Sequence, residues 1–185
     1  GGQSWNTAKD NEGNALNMNS TDIEVGSNGL VITVVNNLCY VSTSGDANQF
    51  VLRSTGDSVS LPATGVGSIE FAISPSNPNI VYASVINLLG STFNVYRSDD
   101  QGINWRIILP GTNTVNIFQS YGNYANALTV FPTDPDRILI GGVDLWQGKK
   151  LQETGYFDWL SISEEDVILV VDEAHNLPEY LRELF

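Results

Sequence analysis

The chain has 185 residues, of which 42% are hydrophobic and only 16% are charged, which suits a folded domain with a sizeable core and excludes a disordered chain. No apolar run reaches the about 18–20 residues that a membrane-spanning helix needs, so no membrane partner is expected. The formal net charge of −13 argues against nucleic-acid binding, because an acidic surface repels phosphates. The single cysteine, Cys39, excludes an intrachain disulfide. The single histidine excludes a multi-histidine zinc site, and we expect no metal and no cofactor.

The composition changes once along the chain, near Gln147. Residues 1–147 contain 12 acidic and 5 basic residues, whereas the much shorter stretch 148–185 contains 9 and 3, and asparagine falls from 18 to 1. An Asn-, Ser-, Thr- and Gly-rich composition is typical of short strands joined by tight turns. We therefore predict two parts, 1–147 and 148–185. Because the sequence starts without methionine or an apolar leader and stops within a predicted helix, we expect both ends to be cuts in a longer chain.

Residues 1–147 are predicted to form short strands separated by turn residues. The candidate strands, in chain order, are Leu30–Val35, Leu38–Ser42, Gln49–Arg53, Ile69–Ile73, Ile80–Ile86, Phe93–Arg97, Asn104–Leu109, Leu128–Phe131 and Arg137–Gly141. No stretch shows a convincing 3.6-residue period, and the prolines lie in the connections, where they remove no ladder hydrogen bond. The first part is therefore predicted to be all-β.

Two of these strand–turn–strand units match each other. Phe71–Tyr82 and Leu128–Leu139 each place two prolines three residues apart between two strands, and the units are 57 residues apart. A weaker copy lies at Gly26–Ser42. Repeats of about 40–50 residues with about four strands each are typical of propeller blades. We predict a mainly β fold, a partial β-propeller of about three blades of antiparallel strands, with a short α/β C-terminal segment.

A turn motif occupies one predicted hairpin. Ser98–Trp105 reads Ser-Asp-Asp-Gln-Gly-Ile-Asn-Trp and matches the pattern Ser/Thr-x-Asp-x-Gly-x-x-Trp. It resembles the Asp-box of the bacterial-neuraminidase-repeat and sortilin-like propellers, and Gly2–Trp5 matches the last four positions of a second copy. Ser54–Asp57 is suggested as the remains of a copy between them. The motif residues, which we predict to be structural, are Ser98, Asp100, Gly102, Trp105, Gly2 and Trp5.

Each of these residues has a local physical task. Asp100 is expected to accept backbone N–H bonds within the turn, Gly102 to adopt a positive φ, and Trp105 to be buried. In the families that the motif resembles, it usually lies away from the binding face. We therefore do not nominate Asp100 as catalytic.

The resemblance leaves the function open among several classes. Relatives include sialidases, xyloglucan-cleaving hydrolases, sortilin-type receptors and secreted adhesion or sorting proteins, and a fold does not select among them. The resemblance implies a fragment of a secreted propeller that binds a carbohydrate or a protein, and a fragment of a glycoside hydrolase is the alternative. Arg106–Pro110 does not fit the Arg-Ile-Pro signature of sialidases. Asp99, Asp134, Asp136 and Asp144 lie in or near predicted turns, and nothing fixes the separation of an acid–base pair.

The predicted blades also imply partners. Three blades leave exposed sheet edges, which invite pairing with another chain. Besides a glycan or protein ligand, we therefore expect the missing blades or another copy of the chain to complete the fold.

Residues 148–185 carry a different motif. The apolar run Val167–Val171 is followed by Asp172, Glu173, Ala174 and His175. This order resembles motif II of superfamily-2 helicases, and the continuation looks most like the DNA-repair branch of DEAH helicases, which suggests an ATP-dependent helicase-derived piece. In that family, the equivalent of Asp172 holds Mg²⁺ on the nucleotide and that of Glu173 activates the attacking water. The equivalent of His175 couples hydrolysis to strand movement.

The rest of a helicase site is missing from this sequence. Gly148–Lys150 lacks the glycine spacing and the hydroxyl of a phosphate-binding loop. We therefore expect the motif to be inactive here and ATPase activity to be absent. The two parts also imply different compartments: the propeller part is expected to be extracellular or secreted, and the chain cytoplasmic if the helicase-like segment marks the parent protein.

Overall fold

The computed structural model describes residues 4–111 and 117–141. The chain divides into two compact units, Gly1–Val143 and Asp144–Phe185, and the described residues all belong to the first. Gly2 and the predicted segment 148–185 lie outside the described residues. The predicted helicase-like residues Asp172, Glu173 and His175 lie outside them as well.

The described residues form ten strands and no helix. The strands are β1 (Ser20–Val25), β2 (Val31–Val35), β3 (Leu38–Ser42), β4 (Val51–Leu52), β5 (Val66–Ile73), β6 (Val81–Asn87), β7 (Thr92–Ser98), β8 (Arg106–Pro110), β9 (Ala127–Val130) and β10 (Ile138–Gly141). They pair antiparallel into a first sheet of β1-β2-β3-β4, a second sheet of β5-β6-β7-β8 and a third sheet of β9 and β10. Within each sheet, strands that are adjacent in sequence are hydrogen-bonded to each other. The predicted mainly β fold is confirmed.

The candidate strands agree with β2 to β10, with shifts of a few residues at several ends. The strand that sequence reasoning missed is β1, whose residues Ser-Thr-Asp-Ile-Glu-Val alternate between exposed and partly buried positions. Polar residues at four of its six positions hide the apolar signal on which strand prediction depends. β1 is held by its ladder to β2, where Val25 pairs with Val31.

The sequence repeat is also a structural repeat. In the second sheet Ile73 pairs with Val81 across the proline-containing turn, and in the third sheet Val130 pairs with Ile138. These two pairs are 57 residues apart, so the offset read from the sequence is also the offset between the two registers. In the first sheet the corresponding pair, at the end of β1, is Val25 with Val31.

The three sheets stack in sequence order. The first strand of each sheet contacts the first strand of the next, so β1 lies beside β5 and β5 beside β9. The main apolar core is shared by the first two sheets and includes Leu30, Ile32, Val34, Cys39, Val41, Leu61, Val66, Ile69, Phe71, Val81, Ala83, Val85, Tyr96 and Trp105. Antiparallel four-stranded sheets stacked with their first strands side by side are successive blades, and the unit is a partial β-propeller.

Candidate functional site

The Ser98–Trp105 hairpin joins β7 to β8 and is closed by one carboxylate. Oδ1 of Asp100 accepts hydrogen bonds from Ser98 Oγ and from the backbone N–H of Asn104, each at 2.8 Å. Asn104 Nδ2 donates to Asp100 Oδ2 at 2.6 Å, and the backbone N–H of Gly102 donates to Ser98 Oγ at 2.9 Å. Partial burial raises the pKa of Asp100, but the hydrogen bonds from Asn104 and Ser98 outweigh it and lower the pKa overall.

The end of the same hairpin packs between two sheets. Gly102 has a φ of +80°, and a Cβ added there would lie 3.2 Å from side-chain atoms of Ile32 and Val41 in the first sheet. Trp105 is 3% exposed, donates from Nε1 to the Gly102 carbonyl at 3.0 Å, and lies with its ring 6.1 Å from that of Phe71. Asp100 thus makes its contacts inside the hairpin, and Gly102 and Trp105 pack the hairpin against the two sheets.

The two other suggested copies differ from this hairpin. Trp5 is 90% exposed, in contrast to Trp105. Ser54–Asp57 follows β4, whereas the connection equivalent to Ser98–Trp105 must join β3 to β4 and therefore ends at Phe50. Phe50 is buried at 5% exposure, as Trp105 is. The assignment of a copy to Ser54–Asp57 was wrong, because the equivalent turn has kept its aromatic position but lost the Asp, Gly and Trp spacing.

The aspartates noted in predicted turns are engaged in ion pairs. Asp99 accepts from Arg97 Nε at 2.7 Å, and Asp136 lies 2.5 Å from Arg97 Nη1. Asp134 lies 4.0 Å from Arg137 Nε. Asp144 lies outside the described residues. Each of the three carboxylates therefore lies beside an arginine, and Asp99 and Asp136 share Arg97.

A different surface lies at the opposite end of β7, and we call it the loop-end surface. It consists of Leu88, Leu89, Tyr121 and Tyr124. The two leucines lie in the β6–β7 turn, where β7 begins, and the two tyrosines lie in the connection that follows β8. Because β7 starts at this turn and ends at the Ser98–Trp105 hairpin, the surface and the hairpin occupy opposite ends of the sheet.

The loop-end surface is built on two tightly fitted backbone segments. Gly122 N–H donates to the Gly90 carbonyl at 2.9 Å, and a Cβ on Gly90 would collide with the Ser120 carbonyl. Asn87 Oδ1 accepts the backbone N–H of Leu89 at 2.9 Å, which fixes the leucine turn. The tyrosine connection is anchored by Phe118, which is 1% exposed. The exposed side chains are therefore presented from backbone that is itself held in place.

The aromatic part of this surface faces solvent. Tyr121 is 53% exposed and Tyr124 is 74% exposed, and their rings meet edge to face with centroids 6.0 Å apart. Leu88 and Leu89 are 68% and 78% exposed. Neither segment 87–91 nor segment 117–126 contains a charged residue. In a chain with a net charge of −13, this is an uncharged surface with apolar rings and with amide and hydroxyl side chains around them. Sequence reasoning missed it, since the tyrosines lie in a long connection with no recognisable motif.

A second group of interest is a carboxylate cluster between β1 and β5, which sequence reasoning also missed. The pKa of Glu70 is raised to about 7, mainly by burial and in addition by the negative charges of Asp22 and Glu24. The pKa values of Asp22 and Glu24 are also raised, mainly by burial. Asp22 Oδ2 accepts the backbone N–H of Phe71 at 2.7 Å, so this carboxylate also joins the first sheet to the second.

The cluster does not have the arrangement of a metal centre. Across residues 4–111 and 117–141, no group of three or more His, Cys, Asp and Glu side chains is placed so as to hold a metal ion. In the same part of the chain, no helical segment has the length and apolar character needed to cross a bilayer. A pKa of about 7 leaves the Glu70 carboxyl protonated in part near neutral pH, which is the state that a general acid requires.

Comparison with solved structures shows a likeness in fold. No model of a known protein family matches the chain, and no curated protein matches its sequence. A crystal structure of a GH74 xyloglucanase from Xanthomonas campestris is similar over 68% of this chain, at 18% sequence identity and a TM-score of 0.47. The chain spans only 20% of the length of that enzyme. A likeness at this level concerns the fold, and it assigns neither a substrate nor an activity to this chain.

Proposed function

We propose that the propeller unit is part of a secreted binding protein that holds a neutral carbohydrate at the loop-end surface. The observation that carries the proposal is the exposed, edge-to-face pair of Tyr121 and Tyr124 on a fixed backbone. Tyrosine offers an apolar ring and a polar hydroxyl on the same side chain, which suits a ligand with both C–H and O–H groups. The proposed location is extracellular, where a polysaccharide ligand would be encountered.

The absence of charge on this surface favours a neutral ligand. Charged sugars such as sialic acids are usually bound through arginine, because its guanidinium matches a carboxylate in geometry and charge. Segments 87–91 and 117–126 contain no arginine or lysine, but they contain asparagine, glutamine and serine side chains that form hydrogen bonds with hydroxyl groups. A neutral oligosaccharide is the ligand class that matches this composition.

The test is calorimetric titration of the chain with neutral oligosaccharides, with cellohexaose as the first probe and a panel of other neutral glycans beside it. We expect a dissociation constant on the order of 0.1–1 mM, typical of a small solvent-exposed site. The double variant Tyr121→Ala, Tyr124→Ala should weaken binding at least about tenfold. Trp5→Ala is the matched control, because it removes another exposed aromatic ring from a different place.

Two results would contradict the proposal. Unchanged glycan binding by the tyrosine variant would place the site elsewhere. Binding to a protein partner that depends on the two tyrosines, with no affinity for any glycan in the panel, would assign the surface to protein recognition.

A glycoside hydrolase is the second candidate, and the cluster of Asp22, Glu24 and Glu70 is the observation that favours it. A general acid must carry its proton near the working pH, and a pKa of about 7 gives Glu70 this property beside two further carboxyl groups. Reducing-end assays on neutral polysaccharides would reveal the activity. Glu70→Gln should abolish it, and the exposed Glu12→Gln should leave it unchanged. No hydrolysis by the parent chain at any pH from about 4 to 8 would end this candidate.

A further inference from the structure

Ile23 and Val25 in β1 occupy the same register positions as Phe71 and Ile73 in β5. Val25 ends β1 and pairs with Val31, and Ile73 ends β5 and pairs with Val81. Counting back two residues along each strand brings Ile23 and Phe71 to equivalent positions. Since side chains alternate along a strand, Ile23 and Val25 point to the side of the first sheet that corresponds to the Phe71 side of the second.

The burial of these equivalent residues is opposite. Phe71 is 1% exposed, because this side of the second sheet packs against the first sheet through residues such as Ile32 and Val41. Ile23 is 62% exposed and Val25 is 66% exposed. Along β1, the side that is covered in the second sheet is thus open in the first, whereas Thr33 and Ser42 on the same side of β2 and β3 are buried at 5% and 0% exposure. We call the exposed β1 part of this side, Ile23 and Val25, the open face.

The third sheet shows the complementary situation. Val130 and Ile138, which match Ile73 and Val81, are buried at 4% and 2% exposure. On the other side of β9, Ala127 and Thr129 are exposed. This is the side that, in the first sheet, carries Asp22 and contacts the backbone of Phe71. The described part of the chain therefore has one uncovered side at each end of its stack of sheets. The side that is uncovered in the first sheet is the covered one in the third, and the side that is uncovered in the third sheet is the covered one in the first.

We propose that the open face of the first sheet docks the exposed side of the third sheet in a second copy of this chain. The contact repeats, between copies, the packing that already joins the first sheet to the second and the second to the third. It is heterologous, because different surfaces of the two copies meet. By the register of the repeat, Ile23 of one copy lies against Ala127 of the other, as Phe71 lies against Asp22 within one chain.

The net charge determines the conditions under which association is measured. Two copies that each carry a charge of −13 repel each other, and salt at about 0.15 M screens this repulsion beyond about 8 Å. The residues at the centre of the proposed contact, Ile23, Val25, Ala127 and Thr129, are uncharged. Association should therefore strengthen when salt is raised from about 0.01 M to about 0.15 M.

The first experiment is analytical ultracentrifugation of the 185-residue chain at increasing concentration. We expect self-association in the micromolar range and a loss of at least about tenfold in affinity for Ile23→Lys. Ile107→Lys is the matched control, because Ile107 is also an isoleucine on an edge strand, β8, and is 53% exposed. A monomer over the whole range overturns the proposal, and so does equal weakening by the two lysine variants.

The second experiment tests the orientation of the contact. Cys39 is fully buried, so a cysteine introduced at the surface reacts alone. Chains with Ile23→Cys are mixed with chains with Ala127→Cys under mild oxidation, and disulfide-linked heterodimers should predominate over either homodimer. Predominance of Ile23→Cys homodimers would indicate a two-fold symmetric contact and overturn the head-to-tail arrangement.

Discussion

The Asp100 carboxylate organises a whole turn through three hydrogen bonds, to Ser98 Oγ, Asn104 N and Asn104 Nδ2. Asp100→Ala should lower the free energy of unfolding by about 1–2 kcal/mol, because three hydrogen-bond donors of the turn, one of them partly buried, lose their acceptor. The ligand affinity of each folded molecule should stay the same, since the turn lies at the far end of β7 from the loop-end surface. Chemical denaturation measures the first quantity and calorimetry the second.

Asp99→Ala is the control for this substitution. Asp99 is the neighbouring residue, its side chain is 53% exposed, and Arg97, whose side chain is 14% exposed, keeps Asp136 as a partner when Asp99 is removed. Ion pairs of exposed carboxylates contribute little to stability, so Asp99→Ala should lower the free energy of unfolding by less than Asp100→Ala does. An Asp100→Ala variant of full stability that no longer binds ligand would show that this residue is functional.

Glu70 gives the folded unit a pH dependence with a definite sign. Its pKa rises from 4.5 to about 7 on folding, so between these values the folded chain holds a proton that the unfolded chain has released. The stability associated with Glu70 is therefore fully present below about pH 4.5 and is lost as the pH rises through about 7. Glu70→Gln should raise the melting temperature over that of the parent more at pH 8 than at pH 5.

Thermal denaturation of both proteins across this pH range is the measurement. The exposed Glu12→Gln serves as the control, and its melting curve should follow that of the parent at each pH. If Glu70→Gln and the parent show parallel pH profiles, the Glu70 carboxyl does not experience the burial and the neighbouring charges described above.

At the scale of elements, one network joins β6 and β7 to the turn between β9 and β10. Tyr82 Oη donates to the Pro135 carbonyl at 2.9 Å and accepts from Arg97 Nη1 at 2.8 Å, and Arg97 also reaches Asp136. Tyr82→Phe should lower the free energy of unfolding by about 1–2 kcal/mol, because Tyr82 is 2% exposed and its partners lose a buried hydrogen bond. Amide exchange in β9 and β10 should accelerate, since this hydroxyl links them to the second sheet.

Tyr96→Phe is the matched control for this network. Its hydroxyl accepts from Asn94 Nδ2 at 2.8 Å, so this hydrogen bond lies within β7. The variant should lose some stability but leave exchange in β9 and β10 at the parental rate relative to the rest of the unit. Equal acceleration in both variants would mean that the Tyr82 hydroxyl does not tie the third sheet in place.

Much of the fold was predictable from local signals, and the sites were not. The alternating apolar runs, the paired prolines and the Ser98–Trp105 pattern are properties of short segments, so they predicted nine strands and the repeat. β1 was not predicted, because its partly buried positions are occupied by Asp22 and Glu24. Only the packing of β1 beside β5 explains why these acidic residues are partly buried. The Tyr121 and Tyr124 pair depends on how a long connection meets the leucine turn, and no local pattern specifies that.

At the scale of the whole molecule, the segment 148–185 lies outside the described residues, and its activity stays a prediction. Motif II needs a phosphate-binding loop opposite it, and the sequence contains no Gly-x-x-x-x-Gly-Lys-Ser/Thr. The nine acidic residues of the segment also repel a triphosphate. Calorimetry with Mg²⁺-ATP should find no affinity tighter than about millimolar, and Asp172→Asn should change nothing. Micromolar binding that Asp172→Asn abolishes would assign a nucleotide site to this segment.

The strand order of the sheets has a consequence for how the chain folds. Every ladder within the first two sheets joins strands that are adjacent in sequence, from β1-β2 to β7-β8. Closing such short loops costs little entropy, and proteins rich in local contacts fold faster than β-proteins with distant pairings. Each sheet is complete as soon as its last strand has left the ribosome, so we expect the unit to fold sheet by sheet during synthesis, with each finished sheet forming the template against which the next one packs.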